Sequence, residues 1–149
     1  MRKWGLIAFF ALITAFAFGQ TAEVLDRVLE TEALTFAQAS RLVMGAAGTM
    51  SPDLSDEDCF AAAQERGWVP SEADLSQEIR LDEYSHLSMA AFGLRGGFLY
   101  RFFPGPRYGY REFVYKKLIQ GRVDPSQKVS GVRAVRIIGR VLDAVGESL

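Results

Sequence analysis

Residues 67–93 read GWVPSEADLSQEIRLDEYSHLSMAAFG, and this stretch decides the fold. It starts with a glycine turn and a proline loop, passes through Ile79, and continues as an amphipathic helix that ends near Gly93. A shorter copy, GRVDPSQKVSGVRAVRIIGRVL, follows at residues 121–142. A unit repeated at tens of residues buries its apolar face only against its neighbours, so the pattern predicts a small helical scaffold.

Apolar residues at helical spacing predict further helices on both sides of this unit. We expect helices over Thr21 to Leu29, Thr35 to Gly48, Ser55 to Arg66, Leu81 to Leu94, Tyr110 to Ile119 and Ser130 to Val145. Thr35 and Ser55 are typical N-cap residues, and Asp58 completes a capping box with Ser55. Val114 and Leu142 are assigned to the buried faces of the last two helices. The predicted fold class is all-α, a bundle of about five to six helices built from degenerate helix-loop-helix repeats.

The first residues have the three-part layout of a secretory signal peptide. Arg2 and Lys3 precede an uncharged apolar run, and Ala17-Phe18-Gly19 meets the small-x-small requirement for cleavage. The alternative is an uncleaved anchor, but about 15 apolar residues fall short of the roughly 20 that a spanning helix needs. We expect residues 1–19 to be removed, leaving one helical domain over residues 20–149 in the periplasm or at the cell surface.

Charge is divided unevenly along the expected mature chain. Residues 20–83 carry 14 acidic and 4 basic side chains, whereas residues 84–149 carry 4 acidic and 11 basic ones. The two halves therefore attract each other, and the basic half is also a candidate surface for anionic polymers or lipid headgroups. Cys59 is the only cysteine, so no disulfide forms within the chain, and its apolar surroundings predict that it is buried.

An aromatic and arginine-rich insertion is predicted over residues 95–111. Residues 98–115 hold 8 of the 18 aromatic residues of the chain, and four arginines lie between positions 95 and 111. This mixture is typical of carbohydrate stacking, contact with anionic polymers or a membrane interface, and the alternative is a plug for one end of the core. Nucleic acid is not expected as a partner of an exported protein. The candidate contact residues are Tyr100, Arg101, Phe102, Phe103, Arg107, Tyr108, Tyr110 and Arg111.

The chain offers no motif for catalysis, for a metal or for a cofactor. Its one histidine, His86, has no second histidine or cysteine at a metal-ligand spacing. Asp82 and Glu83 are adjacent on a predicted helix, so they point about 100° apart and cannot face one reacting group together. We therefore predict a protein that is not an enzyme and needs no cofactor.

Three segments together resemble the S-layer homology family. They are Leu34 to Ala39, the run Glu65 to Pro70 with Glu78 to Tyr84, and the run Gln120 to Pro125 with Val129 to Gly131. The resemblance implies a secreted, non-enzymatic bundle of three helical units that holds proteins to cell-wall polymers, with ligand grooves between the units. The family's motif arginine would fall at Phe36, Leu81 and Gly131, so binding is to be sought in the insertion instead.

Two functions follow as expectations. The leading one is a non-catalytic exported protein of the cell envelope that contacts cell-wall polysaccharide or an envelope protein partner. The alternative is a peripheral membrane-associated factor whose residues 98–111 lie at the lipid interface, with the arginines against the headgroups of the membrane surface.

Overall fold

The structure, a computed structural model, describes residues 22–51, 53–121 and 124–147. These residues form seven helices and no strand. We number the helices α1 (22–29), α2 (Phe36–Ala46), α3 (Asp56–Glu65), α4 (Leu81–Ala91), α5 (Phe98–Phe102), α6 (Pro106–Tyr115) and α7 (Gly131–Gly146). The predicted all-α bundle is confirmed. The predicted signal peptide, residues 1–19, lies outside the described residues.

Side chains near the helix starts satisfy the free N–H groups of the first turn. The Thr35 hydroxyl accepts from Gln38 N at 3.2 Å, and the Gln38 side chain accepts from Thr35 N at 3.0 Å. Ser55 heads the same kind of capping box before α3, as predicted. Before α4 the cap position holds Arg80, whose side chain has no oxygen that could accept a hydrogen bond. The Glu83 carboxylate accepts from Arg80 N at 2.9 Å.

Three backbone segments meet in a closed ring at the centre of the bundle. Leu34 N donates to Val129 O at 2.8 Å, Ile79 N donates to Leu34 O at 2.9 Å, and Val129 N donates to Ile79 O at 3.3 Å. We call Leu34, Ile79 and Val129 the central triad. All three are fully buried, and each lies two positions before the first residue of α2, α4 or α7. The chain therefore forms three units around one centre, with an apolar residue of each unit at that centre.

A second ring of hydrogen bonds surrounds the central triad. The first N–H of each of these helices donates to a carbonyl in the loop of another unit: Phe36 N to Gln77 O at 2.9 Å, Leu81 N to Gln127 O at 2.8 Å and Gly131 N to Thr31 O at 2.9 Å. Each unit thus satisfies a helix terminus of the next. Each of these loops is therefore held by a hydrogen bond from another unit. This dependence of each unit on its neighbours agrees with the repeat in the sequence.

The loops that enter the second and third units fold alike because they share the pattern Asp-x-Ser-Gln. Asp74 accepts from Ser76 N at 2.8 Å, and Asp124 accepts from Ser126 N at 3.0 Å. The hydrogen bonds with Ser76 also hold the pKa of the Asp74 carboxyl below its usual value. Local side-chain bonding of this kind sets the turn that brings Gln77 to the neighbouring helix.

The helices pack mainly in pairs, α2 with α3 and α4 with α6. The third unit is closed by α1, whose last turn lies against the start of α7. A Cβ atom at Gly131 would lie 1.6 Å from the Val28 carbonyl oxygen, so only glycine fits there. Cys59 is buried in the core beside α2, as predicted.

Several predicted helix limits and faces are wrong. α4 ends at Ala91, three residues before the predicted end, because Gly93 takes a left-handed φ of 60°. The helix predicted over Tyr110 to Ile119 is α6, which begins at Pro106 and ends at Tyr115. Proline fits the first turn of a helix, where no N–H is needed, and this shifts the start. Val114 and Leu142 were predicted to be buried and are exposed.

Candidate functional site

The predicted insertion is a folded element rather than an irregular loop. Its middle forms the five-residue helix α5, and its end is the first part of α6. The insertion connects α4 to α6, the two helices of the second unit, so α5 projects from a pair of helices that pack closely on each other. At Gly109 of α6 an added Cβ would lie 2.9 Å from the His86 Cα atom of α4.

Two contacts hold α5 against this helix pair, and a third forms within the connecting segment itself. The Tyr100 hydroxyl lies 3.1 Å from His86 Nδ1, and the two rings meet edge to face. Gly97 N donates to the Glu112 carboxylate of α6 at 2.8 Å. The Tyr100 ring also packs against the backbone at Gly96, where a Cβ would lie 2.5 Å from the ring. The position of α5 is therefore fixed by its tyrosine face.

The opposite face of α5 and its last residue carry large apolar side chains that point away from the core. Phe98, Phe102 and Phe103 are 72%, 63% and 62% exposed, and Leu99 is exposed as well. Phe98 and Phe102 are four residues apart on the helix, and their ring centroids are 4.5 Å apart. We call these four residues the α5 surface. Contiguous exposed rings are uncommon on soluble proteins and mark contact with a protein, a ligand or a membrane.

Three arginines lie close in sequence to the α5 surface. Arg95 and Arg101 lie before and within α5, Arg107 lies in the first turn of α6, and all three are exposed. Within the described residues none of these three forms an ion pair. The acid of α6, Glu112, accepts from Gly97 N. The segment therefore combines exposed apolar rings with exposed positive charge.

The predicted contact residues divide into two groups. Arg101, Phe102, Phe103, Arg107 and Arg111 are exposed and available to a partner. Tyr100, Tyr108 and Tyr110 are half-buried: Tyr100 bonds His86, Tyr108 packs its ring near that of Phe103, and Tyr110 packs against the core. The phenylalanines therefore face outward while Tyr100 and Tyr110 pack against the core, and contact of the exposed residues with a partner stays a prediction.

His86 joins three parts of the second unit. Burial lowers the His86 pKa below 6.5, and a hydrogen bond with the Gly67 backbone acts in the opposite direction. In the tautomer that carries its proton on Nε2, Nδ1 accepts from the Tyr100 hydroxyl. Burial likewise raises the pKa of Tyr100 to about 12. The pair is neutral near pH 7 and holds α5 in place.

Phe98 and Leu99 of the α5 surface, and the nearby Arg95, were not among the predicted contact residues. Phe98 is the most exposed residue of the α5 surface. Its spacing of four residues from Phe102 was a usable signal, because a helix places residues i and i+4 on one face. Arg95 lay in the predicted insertion, before its aromatic run.

A second positive region lies along α7. Arg133, Arg136 and Arg140 line a polar cavity of about 310 Å³ together with Gln120, Gly121, Ser130, Val132 and Ile137. Arg140 donates to Leu118 O at 3.1 Å and to the Gln120 side-chain oxygen at 2.7 Å. Neutral oxygens thus orient this guanidinium group without cancelling its charge.

Two kinds of feature are absent from the described residues, a metal site and a membrane-spanning helix. No cluster of His, Cys, Asp and Glu side chains in this part of the chain has a geometry that could hold a metal ion. No helix in residues 22–51, 53–121 and 124–147 has the length and apolar character required to span a membrane.

Comparison with known proteins gives no relative. The chain matches no protein-family model, no curated protein and no solved structure at a significant level.

Proposed function

We propose that this chain is a non-catalytic, exported module of the cell envelope that attaches to an anionic membrane surface through the α5 surface. The observation that carries the proposal is the set of three phenylalanine rings, each more than half exposed, on an element fixed by its opposite face. A fixed element keeps its rings exposed in the free protein, so no ordering of the segment is required when it binds.

Phenylalanine favours lipid over sugar as the ligand of this surface. Its ring offers no hydrogen bond to sugar hydroxyl groups, and the Tyr100 hydroxyl is already engaged by His86. Transfer of a phenylalanine side chain out of water is worth about 1.5–3 kcal/mol when burial is complete. Each arginine near an anionic surface adds about 1 kcal/mol. Together these terms support reversible binding at the interface.

Vesicle flotation tests the proposal. The purified protein is mixed with vesicles of phosphatidylcholine alone and with vesicles that also contain phosphatidylglycerol. We expect flotation with the anionic vesicles, and we expect it to be lost when Phe98 and Phe102 are replaced by serine. Tyr115→Ser is the matched control, because Tyr115 is 83% exposed at the far end of α6.

Two results would contradict the proposal. One is the absence of flotation with both kinds of vesicle. The other is an equal loss of flotation in Tyr115→Ser and in the double variant, which would mean that any exposed ring contributes and that the α5 surface has no special role.

A second candidate function is the attachment of the module to an anionic cell-wall polysaccharide along α7. The groove that contains Arg136 and Arg140 favours it, because the residues that line the groove include no carboxylate. A pull-down with purified sacculi is the test. Arg136→Gln together with Arg140→Gln is expected to abolish retention, and Arg27→Gln on α1 is the control. Retention that survives the double variant would place the cell-wall contact outside this groove and contradict this candidate function.

A further inference from the structure

A cavity adjoins α5. Its volume is about 570 Å³, and it is lined by Leu94, Arg95, Gly96, Tyr100, Arg101 and Pro104. Two arginine side chains therefore line one opening, and the lining includes no carboxylate. The Tyr100 hydroxyl on this side is already engaged by His86, so the two arginines are the charged donors that the cavity offers.

The chemistry of this cavity fits phosphate. A guanidinium group is a planar fork of N–H donors that pairs with phosphate oxygens in a bidentate manner. Two such groups in one cavity offer more donors than the two non-bridging oxygens of a phosphodiester can pair with fully. A phosphomonoester has three terminal oxygens and a higher charge near neutral pH, so it matches the pair better.

The location of the cavity identifies the source of the phosphate. Arg101 lies in α5 itself, directly before Phe102, and Arg95 lies three residues before Phe98. A group held between these arginines is within a few residues of rings that, under the proposed function, enter the acyl region. A lipid headgroup is joined to acyl chains at this short distance, whereas a soluble phosphate makes no use of the rings.

We propose that the cavity between Arg95 and Arg101 binds the phosphomonoester headgroup of an anionic lipid while the α5 surface enters the membrane. This inference rests on the proposed function, because it names the lipid class that the same surface selects. Arg95 and Arg101 determine which lipid is bound, and the phenylalanine rings determine whether any is bound.

The test compares vesicles that carry phosphatidic acid with vesicles that carry phosphatidylglycerol, adjusted to equal surface potential. We expect the wild type to bind the phosphatidic acid vesicles more tightly. The variant with Arg95→Gln and Arg101→Gln is expected to lose that preference, with affinity for phosphatidic acid vesicles falling roughly tenfold more than in the control variant. The control carries Arg107→Gln and Arg111→Gln, which remove the same charge from exposed positions outside the cavity.

The outcomes separate this inference from the proposed function. If the wild type binds no vesicle, both fail. If it binds but the two double variants lose equal affinity on both lipids, the proposed function stands and the headgroup site is wrong. Glycerol 3-phosphate in solution is the remaining arm: direct binding that depends on Arg95 and Arg101 and is at least as tight as binding to phosphatidic acid vesicles would overturn a lipid as the occupant in favour of a soluble phosphomonoester.

Discussion

The first and second units are built on one plan and differ in the connection between their paired helices. In both, the first helix ends before a glycine with a left-handed φ, Gly48 at 67° and Gly93 at 60°. The connection from α2 to α3 has no exposed large apolar side chain among its described residues, whereas the connection from α4 to α6 forms α5 and exposes four. The fold therefore closes without such rings, and their exposure in the second unit is not a requirement of packing.

The two units also differ at one equivalent position. Arg41 and His86 are each the sixth residue of their helix, α2 and α4. Arg41 Nη1 lies 3.2 Å from an Asp56 carboxylate oxygen at the start of α3, and His86 bonds Tyr100 of α5. Each of these side chains links its own helix to the next one along the chain. Arg41 links α2 to α3, and His86 links α4 to α5. In the first unit the tie is an ion pair, and in the second it is a neutral hydrogen bond that acid can break.

The largest expected effect is the difference in stability between a substitution in the central triad, to which every unit contributes, and a substitution in α5 of the second unit. Ile79→Ala removes buried carbon from the central triad, so we expect the free energy of unfolding to fall by about 2–5 kcal/mol. Phe102→Ala removes a larger but exposed side chain, and we expect a change within about 0.5 kcal/mol. Urea denaturation followed by circular dichroism measures both. A large loss in Phe102→Ala would mean that α5 belongs to the core, which would contradict the comparison of the two connections.

The next effect concerns helix packing in the two units. Gly109→Ala places a methyl group 2.9 Å from the His86 Cα atom, so α4 and α6 must move apart, at a cost of about 1–3 kcal/mol. Gly45 in α2 has no atom within 4 Å of the added carbon, and Gly45→Ala is expected to raise stability by about 0.5–1 kcal/mol. Thermal melts of the two variants test whether the two changes in stability have opposite signs. Changes of the same sign would show that the second unit has no closer helix contact than the first.

A smaller effect is the response of the second unit to acid. The pKa of His86 is lowered in the folded state by burial, so the unfolded chain binds a proton first as the pH falls below 6.5. The stabilisation from neutral His86 is complete above that value and is lost as the pH falls through the lower folded pKa. Protonated Nδ1 cannot accept from Tyr100, so α5 is expected to loosen. Hydrogen exchange of residues 96–103 at about pH 7.5 and about pH 5.5 measures this.

The matched variant for the acid response is His86→Gln, whose side-chain oxygen can accept from Tyr100 but does not titrate in this range. Glu83 lines the same cavity as His86, and Glu112 lies near Tyr100, and both carboxylates are kept in this variant. The difference between the wild type and the Gln variant therefore isolates the contribution of His86. Equal acceleration of exchange in both proteins would assign the response to groups other than His86.

The features predicted correctly from the sequence are those set by local spacing. The helices α2 and α3 were found because Thr35 and Ser55 are cap residues before apolar residues at helical spacing, and α7 was found from its apolar spacing alone. The repeat was visible because Ile79 and Val129 stand at the same position of their units. What spacing could not give is the ring of hydrogen bonds around the central triad, since those bonds join residues far apart in sequence.

The site was predicted only in part for a related reason. The helix α5 has five residues, too few for a periodic pattern to be distinguished from an irregular loop. Which of its rings face outward depends on Tyr100 meeting His86, which is a tertiary contact. Residue types were enough to identify the segment, but the direction of each ring required the neighbouring helices.

The smallest expected effect completes the comparison at the equivalent positions. The side chains of Arg41 and Asp56 are 25% and 32% exposed, so water and salt weaken their attraction. A double-mutant cycle with Arg41→Gln and Asp56→Asn is expected to give a coupling energy of about 0.2–1 kcal/mol, which falls when sodium chloride is added. The cycle cancels the separate effect of Asp56 on the N-terminus of α3. The same cycle with His86→Phe and Tyr100→Phe is expected to give a coupling that does not respond to salt, because that pair carries no charge near pH 7. A salt-sensitive coupling in the second unit, or none in the first, would remove the distinction between an ionic tie in the first unit and a neutral tie in the second.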